Sequence, residues 1–308
     1  MTEVDEDAIE HISPNPIRIW RQGYAQDIDP GAISCHESDP AFVESALAEA
    51  YNRGLDLEKA GDREGAAAAY REVLRLDPED RGGASVRLAS LGLGEAPAKA
   101  PDAYVAALFD QHAEVFETIL VDQLGYCVPM MIPDLLARHG AGPFARLLDL
   151  GCGTGLSGDV LCEEADELVG VDISENMIEM AHEKEVYDSL YVAEGERFLA
   201  ETEEASFDLI VATDVLPYAG ALEGLFTGLS AKTVSGGFLA FSTETLADET
   251  LAGRDYMVGP RQRFAHAERY IRRLLDENGF DCLEMSPIVV RYDEGEAIDG
   301  HLVLARKR

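Results

Sequence analysis

Residues 147–155 read Leu147-Leu148-Asp149-Leu150-Gly151-Cys152-Gly153-Thr154-Gly155. Leu147, Leu148 and Leu150 make the short apolar run of a strand covered on both faces, and Asp149 stands near its carboxyl end, where open α/β sheets bind ligands. Gly151, Gly153 and Gly155 permit positive φ and let a ligand lie against bare backbone, and residues 156–165 follow as a helix. The unit is strand, glycine turn, helix. Counted from Gly151, the dinucleotide fingerprint G-x-G-x-x-G fails at Leu156; counted from Gly153 it matches through Gly155 and Gly158, in a frame two residues later than the strand end suggests. A dinucleotide therefore stays open at this point. A Walker A loop needs Gly-Lys-Ser/Thr at its end, and none follows. The acid at Asp149 suits a cationic or hydroxyl-bearing ligand better than a pyrophosphate.

Working outward, the apolar run 168–173 carries Asp172, and an acid about 20 residues after a glycine turn is well placed to accept hydrogen bonds from a ribose diol. Ser174 reads as the N-cap of a helix over 175–185. A third strand over 190–193 ends at Glu194, and a fourth over 207–212 reaches Asp214 before the apolar pair Val215 and Leu216. Four successive strand ends each present an acid. Each residue also has a plainer reading: Asp172 as a helix cap, Glu194 as a solvated loop acid, Asp208 as a residue that caps or solvates a strand start. Cys152 reads as a small turn residue and not a nucleophile, because no basic residue lies near it in sequence to lower its pKa.

Taken in order, Asp149-x-Gly151-x-Gly153-x-Gly155, then Val-Gly-Val-Asp172-Ile-Ser, then Phe207-Asp208-Leu-Ile-Val-Ala-Thr-Asp214-Val-Leu, then Gly236-Gly237-Phe-Leu-Ala-Phe-Ser-Thr-Glu244 resembles the class I S-adenosylmethionine-dependent methyltransferases over residues 100–308. The resemblance implies a Rossmann-like α/β fold whose seven-stranded sheet is mostly parallel with an antiparallel last strand, and S-adenosyl-L-methionine as cofactor. It implies that Gly151 and Gly153 line the methionine and ribose, with Asp149 and Cys152 beside them. Asp172 then takes the ribose hydroxyls, Glu194 or Gly195 lies near the adenine edge, Ile173 and Met177 pack on the adenine ring, and Asp214 and Val215 flank the sulfonium. The whole chain is also similar to predicted methyltransferases with an N-terminal tetratricopeptide-like segment.

The chain has 308 residues, 46% of them hydrophobic, room for one sizeable domain and a smaller one. Its formal net charge of -34 repels nucleic-acid backbone and anionic membrane, so neither is expected as a partner. Five cysteines without C-x-x-C spacing read as reduced thiols, and no structural metal site is expected. The amino terminus lacks the pattern of a secretory signal and no run of 18 apolar residues occurs, so a soluble cytoplasmic protein is expected.

Residues 1–40, with Pro14, Pro16, Pro30 and Pro40, read as an irregular arm in which Trp20 sits between Arg18 and Arg21. Residues 41–95 read as a helical segment broken at Ala60-Gly61-Asp62, with Ala66, Ala67, Tyr70, Val73 and Leu74 on one helix face. Gly54, Leu57, Gly61, Ala66, Tyr70 and Pro78 are similar in spacing to a tetratricopeptide repeat, although Arg53 and Val73 depart from it. A small all-α helical hairpin follows, either a protein-docking surface or a packing extension, with residues 92–102 as the linker. Helices are expected over 104–117 and 121–139, the second kinked or split by Pro129 and Pro133. Tyr104, Phe109 and His112 would form a lid if the first covers the cofactor. After a fifth strand over 236–243 come a loop over 253–264, a helix over 266–278, and two final strands around 283–292 and 301–305.

Methyl transfer from a sulfonium is an in-line displacement that alignment and exclusion of water accelerate, so no nucleophilic side chain is required. Where the acceptor needs a base, His266 at the start of the expected last helix is the first choice, with Tyr218 and Arg263 as comparable pocket residues beside Tyr104 and Phe109. The expected function is methyl transfer to an unidentified acceptor, a small molecule ahead of a protein. The alternative is a non-catalytic scaffold that senses S-adenosylmethionine and docks a protein through its helical segment.

Overall fold

The computed structural model describes residues 9–10, 40–113 and 116–308. The rest of the expected N-terminal arm, Trp20 and Cys35 included, lies outside the described residues. Two compact units emerge: Val105–Met257 with Phe264–Arg308 and the short segment Ile9–Glu10, and residues 40–104 with Val258–Arg263.

In the helical unit, α1 (Pro40–Lys59) and α2 (Arg63–Leu76) are separated where expected, at Gly61 with φ of +79°, and Asp62 caps α2 by accepting from the Gly65 amide at 2.9 Å. Ala66, Ala67, Ala69, Tyr70 and Val73 are buried, and Leu74 packs at the margin of that cluster. A Cβ on Gly54 would lie 2.5 Å from the Tyr70 ring, so the bare backbone of α1 is what lets that ring in. α3 (Ala84–Ser90) adds Arg87, which donates to Glu58 at 3.1 Å, but it is too short to complete a second helical pair. A groove of about 430 Å³ lined by Ala46, Arg53, Ala69 and Glu72 runs between α1 and α2.

The other unit is built on a sheet. Its strands are β1 (Ile9–Glu10), β2 (Phe144–Leu150), β3 (Ala165–Asp172), β4 (Ser189–Val192), β5 (Phe207–Ala212) and β6 (Thr233–Glu244), then β9 (Phe280–Asp293) and β10 (Glu296–Lys307), after a separate ribbon of β7 (Tyr256–Val258) and β8 (Phe264–His266). The order is β1-β4-β3-β2-β5-β6-β10-β9, and β10 runs antiparallel to both its neighbours while the other pairings are parallel. Seven of these strands are the ones expected; the two-residue β1 adds an eighth beside β4. Because strand side chains alternate, Leu148 and Leu150 face a core with Phe198, Phe226 and Tyr270, while Leu147 faces another with Ile132, Leu135 and Leu161. Both faces are covered, which is why β2 reads as a nearly unbroken apolar run.

Several expected boundaries move. The helix after the glycine turn, α6 (Leu156–Leu161), stops early because the Glu164 carbonyl accepts from the Phe144 amide at 2.9 Å and β3 begins at Ala165. The helices before the sheet are α4 (Asp102–His112), a π-helical turn over Thr118–Gln123, and α5 (Val128–Arg138). Pro129 stands in the first turn of α5, where its missing N–H costs nothing, so the expected helix splits ahead of the proline. The loop expected over 253–264 contains the β7–β8 ribbon, and the last helix, α11, spans Glu268–Glu277. The remaining helices are α7 (Glu175–Glu183), α8 (Gly195–Glu201), α9 (Glu223–Lys232) and α10 (Asp248–Leu251). Among the described residues no helix is long and apolar enough to cross a membrane.

Gly300 on β10 pairs with Glu244 at the end of β6, and a Cβ there would fall 1.9 Å from the Thr243 carbonyl oxygen. Since that obstacle is backbone, Gly300→Ala should cost about 2 kcal/mol, the usual range for overpacking. Urea unfolding checks it: a midpoint unchanged from the parent would show that β6 and β10 separate freely.

Candidate functional site at the glycine turn

The turn hangs from β2 and is tied to β3. The Gly151 and Cys152 amides both donate to the Val171 carbonyl, at 2.7 and 2.9 Å, and the Gly153 amide donates to Asp172 Oδ2 at 2.9 Å. Gly151, Gly153 and Gly155 all take positive φ, which is why glycine stands at each. At Gly151 space matters as well, since a Cβ would lie 2.3 Å from a Val215 methyl. The turn is thus clamped between β3 and the residue after Asp214.

Two carboxylates are buried in this frame. Asp149 has no exposed surface; Tyr187 donates to its Oδ2 at 2.7 Å and Oδ1 has no partner among the described residues. Burial, with a smaller contribution from the charge of Asp172, lifts its carboxyl to about 7 in spite of the Tyr187 hydrogen bond. Asp172, 8% exposed, accepts from Gly153 with Oδ2 and from the Ser174 amide with Oδ1 at 2.9 Å. Burial raises it to about 6, against the pull of those amides. Carboxylate oxygens have two lone pairs each, so Asp172 keeps acceptor capacity for a hydroxyl. Cys152 is buried beside both acids; burial first and then their charges push its thiol well up, the opposite of an activated nucleophile.

The other residues expected to bind a cofactor follow the ends of β3, β4 and β5. Ser174 caps α7, accepting from the Met177 amide at 3.1 Å, and Ile173 precedes it half-buried. Met177 is wholly buried and belongs to the core under the helix, so it presents no free face to a ring in this arrangement. Glu194 caps α8, accepting from the Arg197 amide at 2.8 Å, and Gly195 begins that helix. Asp214 takes a φ of +62°, rare for a residue with a side chain, and its amide donates to Ser242 Oγ at 3.1 Å.

The pocket residues separate into two groups. Phe109 on α4 meets Tyr218 edge to face at 5.2 Å and Phe116 at 5.9 Å, and Phe116 reaches within 3.8 Å of where a Cβ on Gly153 would stand. α4 is held there by Asp110, which accepts from the Ser174 hydroxyl at 2.6 Å and, through its backbone carbonyl, from the Asn176 side chain at 3.0 Å. Glu117 accepts from Thr154 of the turn at 2.7 Å and pairs with Lys184 at 2.8 Å. His112, expected in the same lid, is exposed and turns back to the Leu108 carbonyl. Tyr104 and Arg263 instead belong to the helical unit, where the Tyr104 ring closes on Gly83.

His266 departs from expectation. It ends β8 two residues ahead of α11, has no exposed surface, and its Nε2 donates to the Ala219 carbonyl at 2.8 Å. Burial lowers its pKa to about 4, and its ring stacks on Tyr270 at 6.2 Å. It is a buried histidine on a strand and not at the expected helix start, and its Nδ1 has no partner among the described residues. A residue that the sequence did not single out, Arg291, joins Asp214 and Glu244 at the ends of β5 and β6. Arg291 of β9, 5% exposed, donates to Glu244 at the end of β6 at 2.5 Å and stands 3.7 Å from Asp214. Only the hairpin register brings these three together, and no local spacing announces it. Among the described residues no group of three or more His, Cys, Asp or Glu is placed to hold a metal ion.

The family model described as "Methyltransferase domain" matches residues 124–285, more than half of the chain, so the chain belongs to that family. It is 43% identical over 61 residues to an 18S rRNA (guanine-N(7))-methyltransferase of Arabidopsis thaliana, 20% of this chain and 21% of the relative. It is 28% identical over 112 residues to a ubiquinone biosynthesis O-methyltransferase of Idiomarina loihiensis, 35% of this chain and 46% of the relative. The matches thus span from a fifth to under half of the length of these relatives. A solved S-adenosylmethionine-dependent methyltransferase of Clostridium acetobutylicum aligns with a TM-score of 0.49 at 16% identity, over 65% of this chain and 99% of that one.

Removing Arg291 would take the guanidinium from two little-exposed carboxylates, and breaking a buried pair costs about 3 kcal/mol or more. Arg291→Met should lower stability by that amount in urea unfolding, and Arg291→Met with Glu244→Gln should recover part of it. Full stability of the single variant would mean that the triad is effectively solvated.

Proposed function

We propose that this chain is an S-adenosylmethionine-dependent methyltransferase that binds its cofactor across the glycine turn and transfers a methyl group to a small-molecule acceptor. The observation that carries the reading is the pair of buried acids bracketing that turn, one accepting from the turn's own amide and the other with an unpartnered oxygen. Buried carboxylates need donors or cations, and an adenosyl amino acid supplies both, a ribose diol for Asp172 and an ammonium for Asp149. A pyrophosphate would instead bring negative charge against two acids, which removes the dinucleotide reading that the shifted glycine frame left open. Gly151 and Gly153 give close backbone approach, Ile173 and Gly195 lie on the adenine side, and Asp214 and Val215 on the sulfonium side.

The cofactor supplies the methyl group: the bond from carbon to sulfur breaks, its electron pair stays on sulfur, and the acceptor's lone pair makes the new bond. The protein's own part is alignment and drying. Phe109, Phe116 and Tyr218 shield the face above the turn, and Asp110 and Glu117 hold that cover to the frame. Near the acceptor, the Asp214–Arg291–Glu244 group and Tyr218 are the polar side chains that position the incoming atom, and Tyr218 replaces His266 as first choice for a proton acceptor. The acid excess of the chain favours a small acceptor over nucleic acid. The name of the Arabidopsis relative makes RNA an arm of the test.

Two measurements test the reading. Asp172→Ala should weaken S-adenosylhomocysteine binding about 10- to 100-fold by calorimetry, the loss expected for hydrogen bonds to a charged acceptor; unchanged affinity would remove its ribose role. Incubation of the protein and labelled methyl donor with size-fractionated lysate should place label in small molecules. Label in RNA or polypeptide would overturn the acceptor class, and binding without any label would favour the sensing scaffold.

A further inference from the structure

Tyr187 lies in the short connection between α7 and β4 and occupies a slot that three glycines leave open. A Cβ on Gly158 of α6 would fall 2.4 Å from its hydroxyl oxygen, one on Gly170 of β3 would fall 2.9 Å from its ring, and one on Gly155 of the turn would fall 3.1 Å from it. Three separate elements lack side chains around one ring, and the ring delivers its hydroxyl to a single atom, Asp149 Oδ2, at 2.7 Å. Asp149 is fully buried and keeps Oδ1 without a partner among the described residues.

We propose that Tyr187 is a positioning residue for the cofactor: by donating to Oδ2 it orients Asp149 and favours its ionised form, with Oδ1 left to receive the ammonium of the bound amino acid. The inference rests on the cofactor reading above and extends it to a residue that no motif contains. Of the other groups acting on Asp149, Asp172 stands across the turn and adds negative charge, while the Gly158 backbone N–H favours the charged form. Lys184, the nearby cation on the chain segment that carries Tyr187, is bound to Asp159 at 2.5 Å and Glu117 at 2.8 Å. The Tyr187 hydroxyl is thus the side chain that favours the charged carboxylate. Burial and the neighbouring Asp149 charge in turn hold the tyrosine well above its ordinary pKa, so it stays a donor.

The sign of the pH dependence follows. With its carboxyl near 7 in the free protein, Asp149 takes up a proton as pH falls through neutrality, and an ammonium must then displace that proton to bind. Affinity for an ammonium-bearing ligand therefore drops on the acid side. Loss of the hydroxyl raises the carboxyl further and moves the drop toward higher pH. Asp172 titrates lower and acts on the ribose, so its step is common to every adenosine ligand.

Tyr187→Phe keeps the ring in its slot and removes only the donor. Calorimetry of the full chain from pH 5.5 to 8.5 would compare S-adenosylhomocysteine, which has the ammonium, with 5′-methylthioadenosine, which lacks it. The midpoint for S-adenosylhomocysteine should rise by about one pH unit in the variant, with affinity at pH 7 about five- to tenfold lower and nearly restored at pH 8.5, as expected for loss of a hydrogen bond to a carboxylate. Affinity for 5′-methylthioadenosine should match the parent throughout, which also shows that the variant is folded. An equal loss for both ligands at every pH, or an unshifted midpoint, would overturn the role of Tyr187 and leave the cofactor reading standing. If the parent protein bound neither ligand, the cofactor reading would fall and this inference with it.

Discussion

Two carboxylates at the ends of adjacent parallel strands, buried on either side of one turn, set the constraint under which this sheet is built. Neither can be desolvated without compensation. Asp172 receives two backbone amides and so locks the turn to β3. Asp149 has the Tyr187 phenol as its side-chain donor, and keeps an unpartnered Oδ1 among the described residues and a raised pKa. A fold selected for stability alone would do better with an apolar residue at position 149. Retaining an acid there fits the proposed function, in which a ligand completes the site against the bare backbone of the turn.

The turn's surroundings extend the same logic. The glycines that admit a ligand are also those that admit protein: Val215 fills the space beside Gly151, Phe116 reaches toward Gly153, and Tyr187 lies against Gly155 and Gly158. These side chains come from separate elements that meet at the turn because the sheet is parallel and wound on both faces. α4 and the segment after it are attached by hydrogen bonds of Asp110 and Glu117 and by aromatic edges.

Much of this was legible in the chain. β5 runs over the residues expected, Ser174 caps its helix, and the acids at 149, 172, 194 and 214 stand at successive strand ends, because buried strands and helix caps leave local patterns of one or two residues. What was not legible depends on distant pairing. Arg291 meets Glu244 and Asp214 only through the β9–β10 hairpin, and Tyr187 reaches Asp149 only because Gly158 and Gly170 are empty on neighbouring elements. His266 lies on a strand and not at a helix start because residues expected as loop form the β7–β8 ribbon, which buries the histidine and starts the helix later. Asp208, taken for a plain cap, ties the start of β2 to β5 by accepting from the Ala145 and Arg146 amides at 2.7 and 2.8 Å.

A crystal structure of the complex with S-adenosylhomocysteine tests the central claim most directly. The account predicts both ribose hydroxyls within hydrogen-bond distance of Asp172, the ammonium beside Asp149 Oδ1, and the Tyr187 bond to Oδ2 retained. A ligand bound away from the turn, or an ammonium facing solvent with Asp149 still unpartnered, would contradict it.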